Sequence, residues 1–406
     1  MSRTLETFLV PLDFVHAGPT GSSSAGESHH RESLFPPPAS TWQGVLRTAL
    51  LRAVPGLDLS SPSSRARIAR LVGPPGSLPA EWSMEGPWPA QERDGALVPW
   101  LPVPAWLRLP EHGVGPPELA RPAPISAGDL LTGGTADTTA EPWMPWTTPH
   151  LGTGKAALGW LPVTELLDVL RGKVPANLQV PRTPPFVTED IRPGVALDEN
   201  GRPRDGMLYF LVGQRFKEGS GLYGGVSGPL SSEIPDDALH RGRATLGRKG
   251  RPLALAEPPK LDAAWGKYTG GSWLPATLAD GAYAWVGLST PAFLTDDERA
   301  APGFTAALPS SLAHVNIEVC SRLQEADLVR GALHVYAEGG PQLAPNRPWV
   351  PAGSGWLVRL RGGTPAQHGD VLRFLHHRCL LGPLAERSFG AGRLYVGLVP
   401  PALAGA

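Results

Sequence analysis

The sequence predicts an α+β protein made of two ferredoxin-like units, with long insertions rich in proline, glycine and tryptophan. The first observation is a β-rich segment, residues 4–15, that is followed by an amphipathic helix. The second is the end of the chain, which has the pattern of a strand, a helix (371–381) and a strand (393–399). A strand followed by a helix near both ends predicts two units, residues 1–205 and 206–406.

The composition indicates a globular chain with many loops. Its 406 residues, of which 41% are hydrophobic, suffice for a full core and for two domains. The 49 glycines and 47 prolines are far more than the roughly 12% that this pair usually contributes, which predicts long irregular segments. The net charge is -1, so the chain as a whole gives no signal for nucleic acid. Contact with a polyanion must therefore come from local patches.

The two cysteines and the hydropathy pattern predict the cellular compartment of the protein. Cys320 and Cys379 have neither zinc-ligand spacing nor a paired framework, as expected in a reducing cytosol. Residues 1–10 lack a long apolar core, and no later run of about 20 apolar residues predicts a membrane span. We expect a cytoplasmic protein without a metal or a cofactor.

The first helix is predicted from the spacing of apolar residues between 42 and 53, which recur every three or four positions. Ser40 and Gln43 have the spacing of a capping box at its start. Pro55 and Gly56 predict its end. The loop before it carries a Gly-Ser-rich stretch and three consecutive prolines.

Residues 73–149 are predicted to be an irregular insertion. They contain 16 prolines and six of the 13 tryptophans, and they follow neither a period of 2 nor one of 3.6. Because disordered chains are poor in aromatics, we expect this segment to be ordered, with its tryptophans packed in an irregular layer. The alternative is a surface on which RNA bases stack.

The rest of the chain is predicted to be mainly β. A short helix is expected at 164–171, closed by Gly172. Apolar segments bounded by glycine or proline then predict strands. These strands are expected at 207–212, 283–288, 314–320, 332–337 and 356–360.

No catalytic motif stands out. Residues 152–156 resemble a phosphate loop, but Pro149 replaces the first glycine and Ala156 replaces the magnesium-binding serine or threonine. His376 and its neighbours up to Cys379 are expected on a helix surface, where adjacent residues point in different directions and cannot share a metal. We therefore predict neither nucleotide hydrolysis nor a metal site.

His29 and His30 precede the first helix, in a loop that can carry the general base of a metal-independent ribonuclease. The other interpretation is a polar loop that contacts an RNA backbone. No second catalytic group stands at a recognisable spacing, so we favour backbone contact over cleavage.

Three local features are typical of phosphate contacts. The first is the start of the first helix, where Ser40, Thr41 and free backbone amides can hold a phosphate, with Arg47 one turn further. The second is a glycine-rich basic loop without an acid between residues 238 and 256, in which Gly247 is one of the glycines. Its five cations are Arg241, Arg243, Arg248, Lys249 and Arg251.

The third feature is a glycine-rich loop, residues 387–397, that leads into the last strand. Gly390 and Gly392 form a Gly-x-Gly turn between Arg387 and Arg393, and such a turn can present backbone amides to a phosphate. Each of the three features is weak alone, and their order along the chain adds weight.

These features follow the order of motifs in the RAMP superfamily, and the chain resembles the third Cmr subunit family of its Cas-five group. The most specific match is residues 30–48, where the sequence is HRESLFPPPASTWQGVLRT. Where that family usually has Glu-x-Arg-x-Gly, this chain has Asp190, Arg192 and Gly194. The other matching segments are 159–172, 189–194, 205–209, Arg215, 246–251, 350–354 and 389–397.

The resemblance implies two RAMP or RRM-like domains and a non-catalytic role in a type III-B CRISPR effector complex for antiviral defence. It implies binding of the 5′ tag of the CRISPR RNA, contact with the large Cas-ten subunit and the first backbone subunit, and indirect contact with target RNA. Single-stranded RNA in a fixed register needs loop contacts rather than a high net charge. The residues expected to contact RNA are His30, Arg31, Ser40, Thr41, Arg47, Arg192, Arg215, Arg241, Arg243, Gly247, Arg248, Lys249, Arg251, Arg387, Gly390, Gly392 and Arg393.

Two other classes of function stay open. One is an endoribonuclease that processes CRISPR RNA, also a RAMP protein, with His29 or His30 as its acid or base. The other is a protein scaffold without RNA contact, which the net charge of -1 and the tryptophan-rich segment favour.

Overall fold

The computed structural model describes residues 2–17, 30–31, 33–59, 61–74, 77–79, 81–110, 115–122, 146–148, 151, 155–200, 202–246, 250–323, 328–330, 334–337, 340–343 and 347–399. Helices and strands alternate irregularly along these stretches. The helices are α1 (Ala39–Ala53), α2 (Arg65–Val72), α3 (Val163–Leu170), α4 (Ala263–Gly270), α5 (Asp296–Ala300), α6 (Pro365–Leu375) and α7 (Leu384–Ser388).

The strands outnumber the helices. Those of the first half are β1 (Arg3–Pro11), β2 (His30–Arg31), β3 (Ser83–Arg93), β4 (Ala96–Pro102), β5 (Leu107–Leu109), β6 (Glu118–Leu119), β7 (Arg121–Pro122), β8 (Trp146–Thr147), β9 (Lys155–Ala156), β10 (Trp160–Pro162) and β11 (Val187–Leu197). The later ones are β12 (Pro203–Phe216), β13 (Ser220–Gly228), β14 (Arg243–Leu246), β15 (Arg251–Ala256), β16 (Tyr283–Leu288), β17 (Asn316–Leu323), β18 (Leu328–Arg330), β19 (His334–Ala337), β20 (Gly340–Leu343), β21 (Arg347–Trp349), β22 (Gly355–Arg361) and β23 (Leu394–Leu398).

The largest sheet has seven strands in the order β10-β4-β3-β13-β1-β15-β14, and all its neighbours are antiparallel. The first strand, β1, lies inside it between β13 and β15. Side chains alternate between the two faces, so Leu5 and Leu9 of β1 pack on one face with α1, while Phe8 packs on the other. Helix α1 covers the first face with Trp42 and Leu46, both fully buried.

A second sheet has four antiparallel strands in the order β17-β22-β16-β23. Helix α6 connects β22 to β23 and packs on one face of this sheet. The other face shares one apolar core with the free face of the seven-stranded sheet, and α3 and α4 contribute to that core. The order of layers is therefore helix, sheet, shared core, sheet and helix.

A mixed α and β architecture with mainly antiparallel sheets confirms the predicted class in its broad form. The predicted boundary between residues 205 and 206 falls within β12, and β13, β14 and β15, which come after it, belong to the first sheet. The strands of the seven-stranded sheet end with β15, and those of the four-stranded sheet begin with β16. No local pattern indicates this grouping of strands, because the pairing of β1 with β13 joins segments more than 200 residues apart.

The predicted irregular insertion is wrong for residues 83–102, because β3 and β4 are regular strands of the main sheet. Their prolines hide this, since proline removes a hydrogen bond from the sheet and is rare in central strands. Pro87 lies where the pairing of β3 with β13 shifts register, between Tyr223 and Gly225, so the missing hydrogen bond falls at an irregularity. The expectation that the tryptophans of this segment are packed is confirmed for Trp82, Trp88, Trp100 and Trp106, which are all buried.

Trp106 joins the two sheets. It follows β4, and its indole ring lies flat against Trp285 of β16, with ring centroids 5.4 Å apart and an interplanar angle of 8°. The ring of Trp106 lies on Gly287, Gly355 and Gly397, which belong to three neighbouring strands of the second sheet. A Cβ atom at these glycines would lie 2.6, 2.8 and 2.7 Å from the Trp106 ring. Only glycine leaves room for the ring at these three positions.

The helix predicted at 371–381 begins and ends earlier. Thr364 caps α6 with a capping box that includes Gln367, and the helix ends at Leu375. The prediction that His376 lies on a helix surface is wrong, since His376 is 4% exposed. Its Nε2 lies 2.7 Å from the Tyr268 carbonyl oxygen, and its Nδ1 accepts the backbone N–H of Val396 at 3.1 Å. These contacts fix a neutral ring with the proton on Nε2.

This arrangement predicts a loss of stability in mild acid. Burial lowers the pKa of His376 to about 3, whereas an unfolded histidine titrates near about 6.5. Below that pH the unfolded chain takes up a proton that the folded chain does not, so stability falls as the pH drops from about 6.5 towards about 3. Between about pH 7.5 and 5.5, His376 should contribute a loss of about 1.4 kcal/mol in the free energy of unfolding.

Urea unfolding at the two pH values measures this loss, and His376→Gln is the matched variant. The variant should lose about 1.4 kcal/mol less than the parent between these pH values. Equal losses in the two proteins would contradict the buried neutral ring.

Candidate nucleic-acid interface

Three predicted arginines meet at one place, beside the end of β1. Arg192 of β11 donates from Nη2 and Nη1 to the two carboxylate oxygens of Asp13, at 2.6 and 3.1 Å. Arg251, at the start of β15, donates to Asp13 Oδ2 at 3.3 Å. Arg215 of β12 donates to Asp190 Oδ2 at 2.6 Å, and Arg192 reaches the same oxygen at 3.2 Å. We call Asp13, Phe14, Asp190, Arg192, Arg215 and Arg251 the arginine cluster.

Asp190 stands where the resembled family usually has glutamate, one carbon longer. It nevertheless reaches both Arg192 and Arg215. The shorter side chain therefore keeps the ion pairs at this position.

The ring of Phe14 packs against two arginines of the cluster. This ring is fully buried, and the Cζ atoms of Arg192 and Arg251 lie 3.9 and 4.2 Å from the ring centroid. Such contacts between a guanidinium and an aromatic ring are attractive. Gly213 of β12 makes the room for the ring, because a Cβ atom there would lie 2.2 Å from Phe14 Cδ2.

The charges of the cluster do not cancel. The hydrogen bond from Arg192 lowers the pKa of Asp13 below its usual value. Burial alone would raise the pKa of Asp190, but the hydrogen bonds from Arg215 and Arg192 outweigh it and lower that pKa as well. Both carboxylates are therefore ionised at neutral pH, and three arginines against two aspartates leave a net charge of +1. Arg215 is the most open of the three, with 53% of its side chain exposed.

The predicted basic loop forms the hairpin of β14 and β15, and Arg251 ties its base to the arginine cluster. Arg243 is exposed on β14. Arg241 is also exposed and pairs with Asp237 at 3.1 Å. The expected contacts of Gly247, Arg248 and Lys249 lie outside the described residues.

The predicted residues His30 and Arg31 form β2, the strand next to β12. Leu211 of β12 has Arg192 as its partner on one side and Arg31 on the other. The backbone of Arg31 is thus two strand spacings, ~10 Å, from that of Arg192. The structure brings two separate parts of the predicted RNA site onto one small sheet.

The start of α1 differs from its prediction. The helix begins at Ala39 with Pro38 as its N-cap, and no side chain makes a capping hydrogen bond there. The predicted capping box of Ser40 is therefore wrong; Ser40 and Thr41 are half-buried residues of the first turn. Proline fixes the backbone before the helix, and Ser40 lies two positions after the N-cap, too late to cap the helix.

Arg47 has a structural contact. Its guanidinium donates to the backbone oxygens of Gly73 and Pro74, the latter at 3.0 Å, just after α2. Burial lowers its pKa from the usual arginine value. Arg47 thus holds the end of α2 against α1 and has few donors left for a phosphate.

The glycine-rich loop 387–397 is largely buried where the four-stranded sheet packs against β3 of the seven-stranded sheet. Arg393 is 7% exposed, and its two Nη atoms donate to the carbonyl oxygens of His377 and Met84 at 2.8 and 2.9 Å. Gly392 has a φ of +65°, and a Cβ atom there would lie 2.1 Å from the Leu381 carbonyl oxygen. Arg393 and Gly392 therefore make contacts that hold this part of the fold together.

The other two residues of this loop are similarly engaged. Gly390 has a φ of +96°, and a Cβ atom there would lie 3.0 Å from the Met84 carbonyl oxygen. Arg387 is half-buried and donates to the Leu380 carbonyl oxygen at 3.2 Å. Close packing of the loop on β3 explains its glycines without a ligand.

The sequence reasoning missed Asp13, Phe14 and Gly213. Their only local sign is that Asp13 and Phe14 lie near the end of the segment predicted as the first strand, where a chain leaves a sheet and side chains become available to a site.

Comparison with known proteins assigns the class of this chain. The family model described as CRISPR-associated protein (Cas_Cmr3) matches residues 23–398. The chain therefore belongs to the Cas_Cmr3 family of CRISPR-associated proteins, which confirms the membership that its motifs predict. Comparison with curated proteins gives no match.

Several solved structures are similar at low identity. One is the type III-B Cmr-beta bound to cognate target RNA and AMPPnP, with 11% identity, 91% of this chain and 88% of that chain covered, and a TM-score of 0.42. Cmr-beta bound to cognate target RNA has 13% identity, coverage of 87% and 86%, and a TM-score of 0.41. A Csm1-Csm4 cassette in complex with pppApA has 14% identity, coverage of 89% of both chains, and a TM-score of 0.31.

None of the helices in the described residues combines the length and the apolar character that crossing a bilayer requires. No group of three or more His, Cys, Asp or Glu in this part of the chain has a geometry that would hold a metal ion.

Proposed function

We propose that this protein is a non-catalytic subunit of a type III-B CRISPR effector complex that binds the 5′ tag of the CRISPR RNA. The observation that carries the proposal is the arginine cluster, where Arg192, Arg215 and Arg251 meet at the base of the basic hairpin and beside the strand of Arg31. Membership of the Cas_Cmr3 family supports the assignment to the CRISPR system. The proposal includes contacts with the large Cas-ten subunit and the first backbone subunit.

The proposed RNA site differs from the one expected from sequence alone. It consists of the arginine cluster, the hairpin residues Arg241 to Arg251 and the strand of His30 and Arg31. Arg47, Arg387 and Arg393 are left out, because they donate to backbone oxygens of the protein itself. Single-stranded RNA bound in this way needs phosphate contacts from loops together with a few contacts to bases.

The strand orders support two ferredoxin-like units. In the first sheet, β1, β3, β13 and β15 lie in the order β3-β13-β1-β15, and in the second sheet the order is β17-β22-β16-β23. Numbered within each unit, both are 2-3-1-4, the antiparallel order of a ferredoxin-like β-α-β-β-α-β unit. We accordingly place the two units on either side of residues 257–282, with β4, β10 and β14 as additions to the first.

The competing endoribonuclease function rests on His29 or His30, and incubation of the purified chain with repeat RNA tests it. The proposed function predicts intact RNA after incubation, and it predicts that an assembled complex carrying His29→Ala and His30→Ala cleaves target RNA as the parent does. Specific cuts in the repeat that disappear in the His30→Ala variant would favour the endoribonuclease.

A salt titration tests RNA binding itself and separates it from a pure scaffold. Replacing Arg248, Lys249 and Arg251 with alanine should reduce the slope of log affinity against log salt by about 2, at roughly 0.7 per phosphate contact. Affinity should fall at low salt and should fall similarly for RNAs with altered tag sequence, because phosphate contacts carry no base identity.

The matched control is Arg361→Ala, which removes an exposed arginine paired with Glu318 at the edge of the second sheet. This control should keep the parental slope. An unchanged slope in the triple variant would show that the hairpin is a solvated surface, and absence of salt-dependent binding by the parent would favour the scaffold.

A further inference from the structure

Arg192 is the most constrained arginine of the cluster. A guanidinium is planar, with two faces and an edge that carries the N–H donors. The edge of Arg192 is engaged by Asp13 on both Nη atoms and by Asp190 on Nη2. One face lies against the buried ring of Phe14. Yet 36% of the side chain remains exposed, which assigns the exposed part to the outer face and the stem.

An arginine in this state is a poor clamp for phosphate. A phosphate oxygen needs an N–H donor that points towards it, and three of the four terminal N–H groups of Arg192 are directed at carboxylates of the protein. The charges of Asp13 and Asp190 also offset that of the guanidinium. What remains available is a flat, rigid and weakly hydrated surface. Guanidinium planes of this kind stack on the unpaired bases of single-stranded RNA.

We propose that the outer face of Arg192 is a stacking site for one unpaired nucleobase of the bound RNA. The inference rests on the proposed function and adds how the site holds its ligand: Arg192 contacts a base, whereas Arg215 and the hairpin arginines contact phosphates. Arg215 suits the second role, since its side chain is 53% exposed at the edge of the cluster. Stacking tolerates any base, because every base has a π-face. The site therefore holds one base without reading its identity.

The test uses the parent chain and a CRISPR RNA tag in which each nucleotide in turn is made abasic. At one position, removal of the base should lower affinity by about tenfold or more, the usual size of one base stack. Exchange of that base for another should change affinity much less. The slope of log affinity against log salt should stay the same, because no phosphate contact is lost.

Arg192→Lys supplies the second arm, since lysine keeps the charge next to Asp13 and Asp190 but has no plane. In this variant the abasic penalty at that position should disappear, while the salt slope stays parental. Arg361→Lys, at an exposed arginine outside the cluster, should keep the penalty. Thermal unfolding of both variants shows whether they are folded. Because the abasic series is measured on the parent chain, the inference is tested even when a variant does not fold.

The outcomes separate the inference from the proposed function. Salt-dependent binding without any abasic position that costs about tenfold would overturn the stacking site and leave the proposed function standing. The same holds for a penalty that persists in Arg192→Lys. Absence of salt-dependent RNA binding by the parent chain would overturn both.

Discussion

Trp106→Ala should lower the free energy of unfolding by about 3–5 kcal/mol, the usual cost of removing a buried aromatic side chain. The ring is 1% exposed, lies on three glycines of the second sheet and stacks on Trp285. Its loss leaves a cavity that those glycines cannot fill, because they have no side chains. Urea unfolding measures the loss.

Trp106→Phe is the matched control and should cost less, since it keeps an aromatic plane over the glycines. A second variant gives the reverse test: Gly397→Ala places a Cβ atom 2.7 Å from the Trp106 ring and should destabilise the parent chain. In a chain that carries Trp106→Ala as well, the same Gly397→Ala change should cost less, because the clash is gone. A free energy of unfolding for Trp106→Ala within about 1 kcal/mol of that of the parent would contradict the role of Trp106 in joining the two sheets.

Arg393→Ala should cost about 3–5 kcal/mol in the free energy of unfolding, the usual effect of removing one member of a buried charged group. The substitution leaves the carbonyl oxygens of His377 and Met84 without their donor. It also removes a positive charge near Glu85. Burial alone would raise the pKa of Glu85, but His377 and the charge of Arg393 outweigh that and lower the pKa to about 2.

The control for Arg393 is Arg243→Ala, an exposed arginine of β14 that should change stability by no more than about 0.5 kcal/mol. Circular dichroism during urea unfolding gives both values. A folded Arg393→Ala chain with parental stability and weakened RNA binding would restore Arg393 to the RNA site and contradict its structural role.

Local sequence patterns predicted the helices and strands whose apolar periodicity and bounding residues are contained in the segment itself. The strand predicted at 283–288 is β16, and the predicted helices at 42–53 and 164–171 are α1 and α3 with shifted ends. The helix predicted at 371–381 is misplaced, and the start signal of the observed helix lies before the predicted range. Thr364, Pro365 and Gln367 together carry the signature of a capping box with proline at the first turn.

The pairing of strands that are far apart in the sequence could not be predicted from local sequence patterns. The prolines of β3 and β4 predicted a loop, and only the neighbours β13 and β10 make strands of them. Tertiary pairing of this kind routinely overrides local propensity.

The candidate site was predictable in part. Arg192, Arg215 and Arg251 were singled out from motifs that are far apart in the sequence, and the structure brings them together. Asp13 and Phe14 were missed because a carboxylate and a phenylalanine after a strand have no distinctive spacing. The burial of Arg393 was not predictable, since a glycine-flanked arginine in a phosphate-binding loop and one buried between two sheets have the same local sequence.

The central place of β1 also has a consequence for synthesis. Both strands that flank it, β13 and β15, lie more than 200 residues later in the chain. At about 5–20 residues per second, a ribosome needs roughly ten to fifty seconds to make the chain between β1 and the end of β15. During that time the apolar strand Arg3–Pro11 has neither neighbour and is open to pairing with other chains. The yield of folded protein should therefore depend on a low concentration of growing chains more than on the stability of the finished fold.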